Sequence, residues 1–578
     1  MNNLINHRNQ RLLNYFCING HLECLKKLLN LKKPNIDINL NDDFAFVMSC
    51  ETNNIDIVKF LLNIPNNNIN INVDNDHASR MICRNGNIEI FKFLLSIPNN
   101  NININIKNDF MFDISCQEGH VDIVKYLLNI PNNNININSN DDFAFRTVCK
   151  NGHIDIVKLL LNISNNSINI NTNEDFPFRM ACQEGHINIV KLLLNIPNNS
   201  ININSQEDFP FRIACQNGHI DIIKLLLNIQ NNKININSQQ DFAFMTSCQN
   251  GHINVVKFLL NIPNNNINIS TQEESPLRIS CQNGHTDIVK ILLNIPNNNI
   301  NVNTYCDYPF RVACEKGYID IAKFLLSIKD NNINICSENQ FAFGNACQNG
   351  HLDVVKFLLN IPNNNININL RDDLIFIILC QNGHLDIIEF LLNMPNNCIN
   401  IKTMNNRPFI FACRFCNLDV VKYLLNIPNN NIDINSGSYY AFQTACKQGH
   451  VEIVKYLLNI PDNNIDIFAN GNFAFEFSCK NNHTSVALYL SKICDRFVVK
   501  IINNEIISWY VKYIPAEKKN IDKEIIECPI CMEKTSDIIT DCDHQLCIDC
   551  CQYINKSKTC HICRSTIDDF YLINNVSS

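Results

Sequence analysis

The chain reads as a mainly α protein, a solenoid of about fifteen 33-residue helix-turn-helix repeats followed by a small zinc-stabilised domain. Three observations predict this. One cysteine recurs every 33 residues, from Cys17 and Cys50 through Cys215 to Cys479, with neither insertion nor deletion between repeats. Around most of these cysteines the same wording returns: a short apolar stretch, a Gly-His pair and a second apolar stretch at helical spacing. Finally, seven cysteines and one histidine stand in four close pairs within residues 528–563.

Residues 208–228 show what one repeat can do. Asp208 is placed to cap a first helix, leaving Phe209, Phe211, Ile213, Ala214 and Cys215 to pack. Gly218 permits a tight turn, and Ile220, Ile222, Ile223, Leu226 and Leu227 then recur at the spacing of a second helix. Neither helix can bury its apolar face alone, so successive repeats must stack. The length and the Gly-His turn resemble the ankyrin repeat. Two features depart from that family: Phe-(Ala/Pro)-Phe-Arg replaces its Thr-Pro-Leu-His, and Asn-Ile-Pro-Asn-Asn-Asn-Ile-Asn-Ile-Asn replaces its Gly-Ala-Asp loop. The asparagines suit left-handed turn positions and the alternating isoleucines suit a short extended strand.

The columns of this array have plain structural readings. One histidine per repeat, as in His120, His153 and His219, is expected to hydrogen-bond at the turn rather than to build a metal ladder. The periodic cysteines are expected to be small buried side chains. Arg80, Arg146, Arg179, Arg212, Arg278 and Arg311 share one first-helix position. Each either reaches a neighbouring loop carbonyl or acid, or joins a basic stripe for an acidic partner. The asparagine runs keep strict phase with the repeat and so read as loops.

Composition narrows the classes. A length of 578 residues exceeds one compact core. A net charge of −8 and no long basic block argue against nucleic acid as the main partner. No apolar run is long enough to span a membrane, and the first residues lack a signal-peptide pattern. Of 29 cysteines, fifteen fall on the repeat position and eight in the zinc segment, so reduced thiols fit better than disulfides. The expected location is the cytoplasm (of the host, if the chain is viral), with the nucleus left open. The Asn-, Ile- and Lys-rich wording resembles ankyrin families of amoebae and large DNA viruses. No glycine-rich phosphate loop, nucleophile elbow or isolated carboxylate pair appears.

The expected domains are an array over 1–494, a capping helix and linker over 495–524, a zinc finger over 525–570 and a tail over 571–578. Residues 496–513, which hold the single tryptophan Trp509, read as one more amphipathic helix. Cys528-x-x-Cys531, Cys542-x-His544, Cys547-x-x-Cys550 and Cys560-x-x-Cys563 supply eight donors, enough for two closed tetrahedral zinc sites. Spacing alone leaves open whether neighbouring or alternate pairs share an ion. The order of ligands, with histidine fourth, resembles the RING finger. That resemblance implies interleaved sites: Cys528, Cys531, Cys547 and Cys550 on one zinc, and Cys542, His544, Cys560 and Cys563 on the other. So small a segment is expected to fold only with metal bound.

The resemblance further implies a ubiquitin ligase that recruits a protein substrate through its array and holds a ubiquitin-conjugating enzyme charged with ubiquitin. Such a ligase forms no covalent intermediate, so no catalytic residue is expected; the effect is one of orientation. Ile530 and Ile554 fall where the family contacts the conjugating enzyme, and Arg564 where its arginine bridges enzyme and ubiquitin. Two departures stand beside these: His561 replaces the usual proline, and Ile554 stands where tryptophan is common. The alternative is a non-enzymatic adaptor with the zinc domain as a docking or dimerisation module. A metal-dependent hydrolase is excluded on this reading, because eight ligands leave no open coordination position. Substrate, conjugating enzyme and oligomeric state are not legible.

Overall fold

Stacked pairs of short helices dominate the computed structural model. It describes residues 2–30, 36–65, 67–98, 100–131, 133–163, 168–197, 199–230, 233–263, 265–270, 276–296, 300–329, 331–395, 398–512, 538–540, 545–546 and 570–572. The chain divides into two compact units, 1–301 and 302–578. Among the described residues the first holds nine helix pairs and the second six, one pair for each periodic cysteine.

The pair Ser205–Gln216 and Ile220–Leu227 is representative. Phe211, Ala214, Cys215, Ile223 and Leu226 are fully buried, and Ile222 nearly so. In most repeats from Phe46 to Phe442 the same phenylalanine recurs as one of the largest fully buried side chains, with Ser79 and Leu277 in its place in two. At about 25 cal/mol per Å² of apolar surface removed from water, these stacked columns supply most of the stabilisation. Gly218 ends the first helix at φ +81, where an L side chain is disfavoured. The backbone N–H of His219 then donates back to the Ala214 carbonyl at 2.9 Å and closes the turn.

Three expectations need correction. Asp208 does not serve as a simple helix cap. The preceding residues Gln206, Glu207 and Asp208 all lie in the left-handed region, at φ 50, 55 and 62, before the right-handed helix begins. The Asp208 carboxylate accepts from the Asn204 amide at 2.6 Å and from the backbone N–H of Asn235, in the next repeat, at 3.0 Å. It is a clamp between repeats.

The asparagine loops, expected to hold short strands, form none among the described residues. Their order comes from side chains. The Asn199 amide donates to the Leu194 and Ile196 carbonyls, its oxygen accepts from Ile201 N–H, and Asn202 N–H donates to Asp175 of the preceding repeat. An asparagine side chain can mimic the backbone in this way, which removes the need for a ladder.

The stretch expected as a capping helix is an antiparallel hairpin of strand β1 (Phe497–Ile502) and strand β2 (Glu505–Val511). Asn503 and Asn504 turn it with φ 50 and 65, the left-handed pair a two-residue hairpin needs. The β-branched runs on either side outweigh any helical reading. The hairpin still seals the last repeat. Phe497 stacks on Phe475 with centroids 4.4 Å apart, and Trp509 meets Phe475 edge-on at 6.1 Å.

Three short strands follow: β3 (Ile538–Thr540), β4 (Gln545–Leu546) and β5 (Phe570–Leu572). β3 is central and antiparallel to both, pairing Ile538 with Leu546 and with Leu572. β5 therefore runs across the expected boundary at 570, and Phe570 and Tyr571 pair within their own chain.

Candidate functional site

Two regions qualify as functional, the face of the first helices and the zinc segment. On the turn side of the array the histidines are structural. His219 Nε2 lies 2.9 Å from the Gln183 carbonyl of the preceding repeat, and His120, His153 and His252 repeat the contact at 2.7 to 2.9 Å. Each ring lies against the glycine of the preceding repeat: a Cβ on Gly185 would come within 2.5 Å of His219 Cε1. Glycine suits Gly185 both for its positive φ and for its lack of a side chain, although Cys416 holds the equivalent place at φ 69 with His450 in the next repeat. The periodic cysteines are buried throughout, and burial pushes their thiols up, Cys17 to about 11 and Cys479 to about 12. Neutral buried thiols are not nucleophiles.

On the other side of each repeat, the arginine column stitches one first helix to the next. Arg212 Nε donates to Glu207 O at 2.7 Å and Nη2 to Gln206 O at 3.0 Å, satisfying carbonyls of its own left-handed turn. Nη1 reaches Gln239 Oε1 of the following repeat at 2.6 Å. The guanidinium lies 5.1 Å from the centroid of Phe242 in that repeat. Arg80, Arg146, Arg179 and Arg311 make the same pair of turn contacts and lie over Phe110, Phe176, Phe209 and Phe341. Of the two roles the sequence left open for the column, these five contacts favour the structural one. The stacking on the next repeat's phenylalanine was not foreseen. Its sequence signal was the pairing of Arg in one repeat with an aromatic 30 residues later, as in Arg212 and Phe242.

Three cavities occupy this same slot between successive first helices. Each lies at a repeat where the arginine is replaced. At Asp113 the cavity is about 290 Å³, lined by Phe110, Asn140 and Phe143. At Gly344 it is about 220 Å³. At Ile410 it is about 420 Å³, lined by Met404, Arg407, Arg414 and Tyr440. Asp113 is buried, its Oδ2 accepting from Asn140 Nδ2 at 3.2 Å. Burial pushes its carboxyl up to about 7, an effect opposed by Asn140 and Ser139 and reinforced by the Asp109 carboxylate.

Among the described residues no group of three or more His, Cys, Asp or Glu side chains could hold a metal ion. All eight expected zinc ligands (Cys528, Cys531, Cys542, His544, Cys547, Cys550, Cys560 and Cys563) lie outside the described residues, as do Ile530, Ile554, His561 and Arg564. The described strands β3 and β4 flank residues 541–544, the stretch that holds Cys542 and His544. Seven thiols and one imidazole remain a donor set suited to zinc. Among the described residues no helix is long and apolar enough to cross a membrane.

The family model for ankyrin repeats (3 copies) matches residues 1–75 and then overlapping windows from 112–207 to 343–438. The chain belongs to the ankyrin-repeat family. Members are built from stacked helix pairs of the kind described above, and the ankyrin array here continues in the same period beyond the matched windows to Cys479. A second similarity is to RING finger protein 121R of Invertebrate iridescent virus 6, 32% identical over 74 residues, which are 12% of this chain and 79% of that protein.

Proposed function

We propose that this ankyrin-repeat protein is a RING-type ubiquitin ligase whose array recruits a protein substrate. The observation that carries the reading is the ligand order of residues 528–563, closed by Arg564 directly after the last cysteine. The similarity to a viral protein named for its RING finger supports it. Cys528, Cys531, Cys547 and Cys550 would hold one zinc, and Cys542, His544, Cys560 and Cys563 the other. Zinc supplies the fold of the segment and no chemistry at the thioester. Ile530 and Ile554 offer apolar contact to the conjugating enzyme. Arg564 has the planar fork of donors that can engage two carbonyls at once. Ubiquitin transfer then gains from holding the charged enzyme in a reactive pose for attack by a substrate lysine. His561 in the proline position and Ile554 in place of tryptophan favour a second reading, an adaptor whose zinc segment only docks or dimerises.

Self-ubiquitination separates the two. The purified chain is incubated with activating enzyme, ubiquitin and a panel of conjugating enzymes, beside Arg564→Ala and Cys531→Ser. Ladders are expected in the wild type alone, with two zinc ions per chain retained in Arg564→Ala and fewer in Cys531→Ser. Two bound zincs and no ladder with any conjugating enzyme would favour the adaptor.

A further inference from the structure

The cavity at Ile410 differs in chemistry from the other two in the same slot. It lies between the helices Thr403–Arg414 and Ser436–Gln448 of the second compact unit. Ile410 stands where Arg212 stands in its own repeat, so no guanidinium fills the slot from within. Tyr440, the counterpart of Phe242, is left 46% exposed. Met404 and Phe415 are 42% and 44% exposed, so three large apolar side chains face solvent across one junction between repeats. Protein surfaces seldom gather such groups without a partner.

The charges lining this groove are of one sign. Arg407 and Arg414 line the groove, and the two helices contain no aspartate or glutamate. By contrast, the helix Ser205–Gln216 balances its arginine with Glu207 and Asp208. Among the described residues neither arginine pairs with a carboxylate. Arg407 Nη1 lies 3.3 Å from Met404 Sδ, and the two guanidiniums lie 6.0 and 5.6 Å from the rings of Phe411 and Phe415. Their donors are not tied to turn carbonyls in the manner of Arg212. The other two cavities carry acids instead, Asp113 in one and Glu338 in the other.

We infer that the groove lined by Met404, Arg407, Ile410, Arg414 and Tyr440 is a docking site for an acidic segment of a partner protein bearing a bulky apolar side chain. The apolar anchor would enter the slot that arginine fills elsewhere, and flanking carboxylates would take the two guanidiniums in the bidentate geometry that arginine favours. This deepens the recruitment part of the ligase reading and rests on it only for the partner's fate after binding.

The test uses a phage-displayed random peptide library selected on the full-length chain and on the double variant Arg407→Glu/Arg414→Glu. Melting of the variant is compared with that of Lys92→Glu, a charge reversal on a second helix of the other compact unit. Peptides enriched on the wild type are expected to combine Asp or Glu with an aromatic or aliphatic residue. Their affinity, read by fluorescence polarisation, should fall by about tenfold or more in the double variant and in Tyr440→Ser, and should weaken as salt rises. Enrichment without acidic bias, or equal binding by the double variant, would overturn the inference. So would a wild-type dimer that Tyr440→Ser converts to monomer, which would give the groove to a second copy of the chain. Peptide binding needs no conjugating enzyme, so an inactive zinc segment leaves this test standing, and a failed peptide selection leaves ligase chemistry open.

Discussion

The repeats around Arg179 and Arg212 and those around Ile410 and Tyr440 share one backbone plan and differ, among other columns, at the arginine position. In the former, arginine satisfies the carbonyls of its own left-handed turn and covers the next repeat's phenylalanine. In the latter, isoleucine leaves the slot open and the neighbouring aromatic exposed. Asp113 is an intermediate case, with a carboxylate buried where the guanidinium would be. Because each repeat touches mainly its neighbours, one position can change from joint to binding surface without disturbing the stack.

The largest effect lies at the glycine turns of the arginine-bearing repeats. Gly185→Ala would force an L residue to φ +83 and drive its Cβ into the His219 ring, a cost of about 2–4 kcal/mol. Gly344→Ala, in a helix interior with nothing within 4 Å of the new Cβ, should instead stabilise by about 0.5–1 kcal/mol. Hydrogen exchange in the flanking helices reads both. Similar losses at the two glycines would refute the assignment of distinct roles.

The arginines give the next effect. Arg212→Ala removes three hydrogen bonds and a ring contact, and about 1–3 kcal/mol of local stability should go with them. Arg407→Ala should change stability by no more than about 0.5 kcal/mol. Equal losses in thermal or denaturant melts would erase the contrast between joint and groove.

The last is a pH effect at Asp113. Its folded carboxyl titrates near 7, against about 3.9 in an unfolded chain. Between these values the folded state holds a proton that the unfolded state releases. The stability this contributes is fully present below about pH 4 and is lost as pH rises through 7. Asp113→Asn should remove this dependence and raise stability at about pH 8 by about 1 kcal/mol or more, as read by melts at both ends of the range. An unchanged pH profile would mean that Asp113 is solvated in the folded chain.

Much of this molecule was legible in one-dimensional periodicity. A 33-residue phase, Gly218 before His219 and the burial of Phe211, Cys215, Ile223 and Leu226 follow from the spacing of small and apolar residues, because local turns and helix faces are encoded locally. The eight expected metal donors are likewise read from residue type and spacing, and lie outside the described residues. Residues 496–513 failed as a helix because the Asn503-Asn504 turn between β-branched runs carries the stronger signal.

What only the tertiary structure decided is the use of each polar side chain. Nothing within one repeat announces that Asp208 bonds the next repeat's Asn235, or that Arg212 lies over Phe242. Those choices depend on groups 27 and 30 residues away being brought to one junction by stacking. The open slot at Ile410 is decided the same way. The sequence determines which residues occupy the column, while packing against the following repeat determines whether they close a joint or leave a site, since a contact between repeats exists only once both are folded.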